Sequence, residues 1–214
     1  KISLIGKRSI NVLGIKKLKS IVHKVIFDRI EAGTYIIAAA LTKGRLKIKN
    51  IDPKVISTEI NLLHKMGVNI IKKKNYIIAS CSKKLKKINI TTKPYPGFPT
   101  DLQAQWIALM SIANGESITT EEIYLDRFTH IPELNRLGAD IRLKDNKATV
   151  NGVRKLIGAQ VMSTDIRASA ALILGAIIAE GKTEISRVYH IDRGYDSIEK
   201  KFQSLGADIE RIKE

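Results

Sequence analysis

Four charged side chains stand where solubility alone does not explain them. Arg167 lies in the first turn of a helix that begins near Thr164, and a cation there opposes the helix dipole unless an anion sits beside it. Exposed backbone N–H groups together with a guanidinium make an anion site. Asp101 occupies the matching place ahead of another helix and has two open readings. It is either an acid that complements the dipole or caps the first turn, at about 0.5–1 kcal/mol, or a working carboxylate. Arg127 and Arg193 each stand in a loop just ahead of a helix, within Ile123-Tyr124-Leu125-Asp126-Arg127-Phe128 and Val188-Tyr189-His190-Ile191-Asp192-Arg193-Gly194-Tyr195. A lone loop arginine is usually solvated or paired with a neighbour, here Asp126 or Asp192. Arg127, Arg167 and Arg193 together have the planar, bidentate donors that clamp a small ligand with more than one negative group, phosphate and carboxylate alike.

These positions follow from a threefold repetition. A small-residue helix stopping at a glycine recurs at Ala38-Ala39-Ala40…Gly44, Ala104…Gly115 and Ala168…Gly181. A later helix ends in Met66-Gly67-Val68-Asn69-Ile70, Leu137-Gly138-Ala139-Asp140-Ile141 and Leu205-Gly206-Ala207-Asp208-Ile209. The units are about 70 residues each and read as helix, strand, helix, strand. The first helix is apolar on nearly every side and so is buried all round, though too short to span a bilayer. Its closing glycine suits a left-handed C-terminal position. Strands are expected at Leu46-Lys47-Ile48, Ser117-Ile118-Thr119 and Thr183-Glu184-Ile185, with further strands at Tyr76–Ala79 and Lys147–Val150. Three such α/β units should pack around a shared axis, buried helices inside and sheets outside. Fourteen positions before the helix-closing glycine the units carry Ile30, Asp101 and Arg167, which puts the acid and the arginine near one end of that axis. Residues 1–24 precede the first repeat and read as a strand or two belonging to something upstream; 25–214 form the repeat domain, with units at about 25–93, 94–160 and 161–214.

The formal net charge is +16, which by itself suggests nucleic acid or an acidic membrane surface. Its distribution argues against both. Residues 1–93 hold 22 Lys and Arg against 4 Asp and Glu, whereas 94–214 hold 15 against 17. The excess is scattered lysine with few aromatics for bases to stack on. No nucleic-acid partner and no membrane are assigned. The single cysteine, Cys81, rules out an internal disulfide framework and fits a reducing, cytoplasmic setting. It reads as a small half-buried residue without a nucleophile partner. The four histidines show no ligand spacing, and no metal or cofactor is assigned.

Four stretches in series resemble the UDP-N-acetylglucosamine 1-carboxyvinyltransferase (enolpyruvyl transferase) family. They are Tyr95-Pro96-Gly97-Phe98-Pro99-Thr100-Asp101-Leu102-Gln103-Ala104-Gln105, Asp126-Arg127-Phe128-Thr129-His130-Ile131-Pro132-Glu133-Leu134, Thr164-Asp165-Ile166-Arg167-Ala168-Ser169-Ala170 and Tyr189-His190-Ile191-Asp192-Arg193-Gly194-Tyr195. The similarity runs from about Asp28 to the C-terminus, and the motifs match the nucleotide-sugar branch better than the shikimate branch. The resemblance implies an inside-out α/β barrel domain of three βαβαββ-type repeats with pseudo-threefold symmetry, one of two domains that bind substrates between them. It implies transfer of the enolpyruvyl group of phosphoenolpyruvate to the 3-hydroxyl of UDP-N-acetylglucosamine with release of phosphate, the first committed step of peptidoglycan synthesis.

By the same resemblance Asp101 contacts the attacking hydroxyl, and Arg167 and Arg193, with Arg127 nearby, clamp the carboxylate and phosphate. Ile123 touches the nucleotide sugar through its backbone, and Asp101 and Arg193 are the catalytic pair. Family members are about twice as long. Their N-terminal half carries a Lys-Asn pair and a mobile loop with a cysteine or aspartate, which Cys81 does not match. The expectation is therefore one wall of a cleft, catalytic with the N-terminal half of the same enzyme as partner. The alternative is a non-catalytic remnant that binds nucleotide sugar or anions.

Overall fold

The computed structural model describes residues 1–6 and 9–212; residues 7, 8, 213 and 214, which fall inside the expected N-terminal strand segment and the expected third repeat, lie outside it. The chain opens with the hairpin strands β1 (Ile2–Ile5) and β2 (Ser9–Val12). The segment expected as the first repeat follows as α1 (Arg29–Leu41), β3 (Arg45–Lys49), α2 (Ser57–Met66), β4 (Asn69–Lys73) and β5 (Tyr76–Ser80). The second runs β6 (Ile90–Thr91), a 3-10 turn at Thr100–Leu102, α3 (Gln103–Met110), β7 (Glu116–Thr120), α4 (Ile131–Arg136), β8 (Asp140–Lys144) and β9 (Lys147–Asn151). The third holds β10 (Gln160–Met162), α5 (Ile166–Ile178), β11 (Glu184–Ser186), a 3-10 segment at Val188–Arg193 and α6 (Ile198–Ser204).

The helices expected to be buried all round are so except at the first turn of α1 and at both ends of α5, with residues 176–179 half-buried. Every residue of α3 is buried, as are Ile30 and Ala32–Leu41 of α1 and Ala168–Gly175 of α5, and the three pack on one another. Alanine-rich faces allow that close approach, and each buried Leu or Ile contributes about 1.5–3 kcal/mol. Trp106 of α3 is fully buried and meets Phe98 edge-on at 5.1 Å.

Local signals set where these helices start and stop. Asp28 caps α1 by accepting from the amides of Ile30 (2.7 Å) and Glu31 (3.3 Å). Asp165 caps α5 in the same way, from Arg167 (2.6 Å) and Ala168 (3.0 Å). The corresponding residue before α3 is Pro99, whose ring has no acceptor to offer, so the turn holding Asp101 carries no side-chain cap. The second helices all close alike: Gly67, Gly138 and Gly206 take left-handed φ of 106°, 86° and 94°. In each case the next amide reaches back to the helix, Val68 to Leu63, Ala139 to Leu134 and Ala207 to Phe202, a Schellman closure. After the first helices Gly115 and Gly181 are left-handed but do not close their helices, which end earlier at Met110 and Ile178 with Ser111 and Ala179 as caps, and after α1 Lys43, not Gly44, takes the left-handed conformation.

Two sheets share one plan. β5 lies between β3 and β4, and β9 lies between β7 and β8, antiparallel to both neighbours in each case; β6 adds to β7 in parallel. The third repeat departs from expectation. Its β11 pairs only in parallel with β10, and residues 207–212 after α6 form no strand, because no middle strand stands there to pair with them. Both strands β1 and β2 are exposed along their length. No helix of the described residues is long and apolar enough to cross a membrane.

Gly152, just past β9, passes so close to the α3 exit that an added Cβ would sit 1.5 Å from the Ala113 carbonyl oxygen. Gly152→Ala should therefore cost at least about 1–3 kcal/mol in urea unfolding. Gly14→Ala, where a Cβ meets nothing, should leave the midpoint unchanged.

Candidate anion and acid–base site

The turn before α3 has no side-chain cap, and the Asp101 carboxylate accepts no bond from its own helix. Two guanidiniums take it instead: Arg127 donates to Oδ1 and Arg167 donates to Oδ2 at 2.9 Å. The anion that Arg167 needs in its first turn is thus Asp101, from a different repeat, and the capping reading of Asp101 is set aside. The neighbour pairings considered for the loop arginines are corrected too. Arg127 pairs with Asp101, not Asp126, and Asp192 is held by Arg211 at 2.7 and 2.9 Å, not by Arg193.

Half burial alone would raise the Asp101 carboxyl, but the hydrogen bond from Arg127 and the charges of Arg167 and Arg127 outweigh it, and Asp101 titrates below the usual carboxylate range. Asp165, which caps α5, behaves similarly. Partial burial works against its charge, and the amides of Ala168 and Arg167 with the Thr129 hydroxyl more than offset that. Asp165 also ties the Arg127 loop to α5, since Thr129 donates to its second oxygen at 3.1 Å and receives a bond from Thr164 at 2.8 Å. Beneath the loop, His130 is 1% exposed. Burial holds its imidazole neutral, down to about 4, with Arg127 assisting and Asp165 opposing.

Arg193 is exposed and makes no ion pair among the described residues. Its neighbour Gly194 leaves room for Ile166 at the start of α5, where a Cβ would come within 3.0 Å. The next residue, Tyr195, shares a buried hydrogen bond of 2.8 Å with Thr34 of α1, and Gln105 of α3 donates to both hydroxyls at 3.2 and 3.3 Å. Ile123 is exposed, with its amide turned inward to Glu121 at 2.8 Å. Cys81 is 4% exposed, more deeply buried than expected, and its thiol contacts the Lys83 carbonyl.

Asp101, Arg127 and Arg167 therefore meet near the starts of the buried helices α3 and α5, while Arg193 and Ile123 are exposed and make no hydrogen bond or ion pair with that cluster among the described residues. Sequence reasoning passed over Asp165, Thr129 and Glu121. The aspartate was findable, because Asp28 and Asp165 stand at the same step before their helices. The arrangement offers two cationic bidentate donors and one acceptor that can exchange partners when an anion arrives.

An α/β domain with this helix core and this charged end is of the enolpyruvyl transferase type. It superimposes on the enolpyruvyl transferase NikO from Streptomyces tendae with a TM-score of 0.81 at 31% identity, covering 87% of this chain and 44% of that one. An EPSP synthase from Acinetobacter baumannii has the same fold, with a TM-score of 0.77 at 17% identity over 100% of this chain and 53% of the other. The chain belongs to the EPSP synthase (3-phosphoshikimate 1-carboxyvinyltransferase) family, whose profile matches residues 1–202. Among its curated relatives, the UDP-N-acetylglucosamine 1-carboxyvinyltransferase of Pelagibacter ubique is 55% identical over 207 residues, 97% of this chain and 50% of the relative. That of Geobacter metallireducens is 52% identical over 209 residues, 98% of this chain and 50% of the relative. The chain spans about half the length of the curated relatives it matches.

Because its folded-state pKa lies below the unfolded value, Asp101 stabilises the fold above about pH 4, and that contribution fades as pH falls through the folded value. Asp101→Asn should lose about 1 kcal/mol at pH 7, a modest figure because the carboxylate is 37% exposed and screened. Urea titrations of both proteins should converge as pH falls below the usual carboxylate range.

Proposed function

We propose that this chain is one wall of a UDP-N-acetylglucosamine 1-carboxyvinyltransferase, moving the enolpyruvyl group of phosphoenolpyruvate onto the 3-hydroxyl of the nucleotide sugar together with the N-terminal half of the same enzyme. The observation that carries this reading is the meeting of Asp101 with Arg127 and Arg167. In this reading residues 25–214 are an inside-out barrel domain of three repeats about a pseudo-threefold axis, residues 1–24 belong to the other domain, and the setting is the reducing cytoplasm.

The chemistry is addition followed by elimination. The sugar 3-hydroxyl attacks C2 of the enol phosphate, its proton passes to Asp101, and C3 takes a proton from a donor outside this chain. Loss of phosphate and of a C3 proton restores the double bond. While both guanidiniums grip it, Asp101 is a weak base. When the carboxylate and phosphate of phosphoenolpyruvate take over Arg127, Arg167 and Arg193, the Asp101 pKa rises towards that of a useful base. The same guanidiniums then face the charge of the tetrahedral intermediate. Ile123 meets the nucleotide sugar through its backbone.

Two observations support a missing half. Between β11 and residues 207–212 runs a groove of about 920 Å³, lined by Ile173, Ile177, Ile185 and Ile209 together with charged side chains such as Glu184 and Arg211; in the repeat reading it corresponds to the place of β5 and β9. A strand from the other half would complete that sheet. The N-terminal arm also exposes Leu18, Ile21, Val22, Val25 and Ile26 at 74–101%, apolar surface that a monomer normally covers.

Calorimetric titration with UDP-N-acetylglucosamine and phosphoenolpyruvate, followed by a phosphate-release assay with the N-terminal half of the Pelagibacter ubique relative added, tests the reading. Weak binding alone and phosphate release only with the added half are expected. Binding without turnover even then would mean a non-catalytic remnant. In the reconstituted enzyme Arg193→Ala should abolish phosphate release and leave the thermal midpoint nearly unchanged; an unfolded variant would make Arg193 structural.

A further inference from the structure

Glu121, the first residue past β7, is fully buried, and the residues that donate to it are neutral. Its Oε1 accepts from the Thr92 hydroxyl (2.6 Å) and the amides of Ile123 (2.8 Å) and Tyr124 (3.0 Å), while Oε2 accepts from the Thr100 hydroxyl (2.9 Å). Its backbone is held from the β8–β9 turn, through the Asn146 carbonyl and side-chain amide at 2.9 Å each. Thr92 completes the knot by accepting from the Glu122 amide at 2.9 Å. Burying a carboxylate is costly, and four donors are what make it tolerable. A fold needing only a filled corner would be served by an apolar side chain of similar volume.

What the carboxylate joins gives it a role. Thr100, on one oxygen, is the residue before Asp101. Tyr124, on the other, accepts the Arg127 amide at 3.0 Å and lies under the Arg127 guanidinium, 5.2 Å from ring centre to Cζ. Arg127 closes the ring on Asp101. From Glu121 the contacts run through Thr100 to Asp101 one way and through Tyr124 to Arg127 the other.

We propose that Glu121 is a positioning residue that sets the placement of Arg127 against Asp101 by fixing, from one buried carboxylate, the turn that carries one and the loop that carries the other. Its consequence for catalysis rests on the transferase reading above; the positioning itself does not.

Carboxyl NMR titration of Asp101 in this chain tests the positioning directly. Asp101 faces Arg127 and Arg167, so loss of the Arg127 contact should move its titration part of the way up towards the ordinary carboxylate value, Arg167 still holding the other oxygen. Glu121→Ala should show that rise. Glu121→Gln, which keeps the shape and can bond the same partners, should stay near wild type. Thr100→Val, which removes one arm only, should show a smaller rise and carries the test if Glu121→Ala does not fold. In the reconstituted enzyme Glu121→Ala should lower kcat/KM by about tenfold to a hundredfold and move the acid limb of its pH profile upward, with Glu121→Gln restoring both. An unmoved Asp101 titration in folded Glu121→Ala and Thr100→Val would overturn the proposal. A moved titration with no turnover in reconstituted wild type would instead sink the transferase reading and leave the positioning intact.

Discussion

A carboxylate shared by two guanidiniums is the constraint around which the charged end of this domain is arranged. Asp101 comes from the turn before α3, Arg167 from the start of α5 and Arg127 from a loop between them. A cation in the first turn of α5 opposes the dipole there, and the partner that neutralises it lies 66 residues away in sequence. The pairing is half-exposed, so its worth to stability is small. In the proposed transferase its worth to function lies in being exchangeable: an arriving anion displaces Asp101 from the arginines and leaves the carboxylate free to take a proton.

Around that pairing the fold uses buried polar groups to hold exposed loops. The Thr34, Gln105 and Tyr195 network ties the segment after Arg193 to two core helices. Asp165 caps α5 with one oxygen and holds the Arg127 loop through Thr129 with the other. Arg127 and Arg193 sit outside the long helices while Arg167 starts α5, and the groups that fix the Arg127 and Arg193 segments belong to or cap helices, a division that keeps the charged end precise without burying it.

The periodic parts of this architecture were legible in the chain. All-apolar helices, the three Schellman glycines and the strands at Leu46–Ile48, Ser117–Thr119, Tyr76–Ala79 and Lys147–Val150 follow from local pattern and form as expected. The partners of charged side chains were not legible. Asp126 and Asp192 stand next to the loop arginines in sequence, yet Arg127 reaches Asp101 and Asp192 goes to Arg211, because ion pairs are chosen by tertiary placement. The final strand of the third repeat failed for a related reason. Ala207-Asp208-Ile209 matches the residues that open β8, but a strand needs a neighbour, and β11 is not joined there by a middle strand. The uncapped turn before α3 had a readable sign, Pro99 where Asp28 and Asp165 stand, and Glu121 had none, since its four donors come from three separated segments.

A double-mutant cycle on folding stability between Asp101→Asn and Arg167→Gln, at pH 7 and low salt, measures the shared-carboxylate grip without requiring catalysis. The account predicts a favourable coupling of about 1 kcal/mol that weakens when salt or phosphoenolpyruvate is added. Additive effects, with no coupling and no response to either, would contradict it.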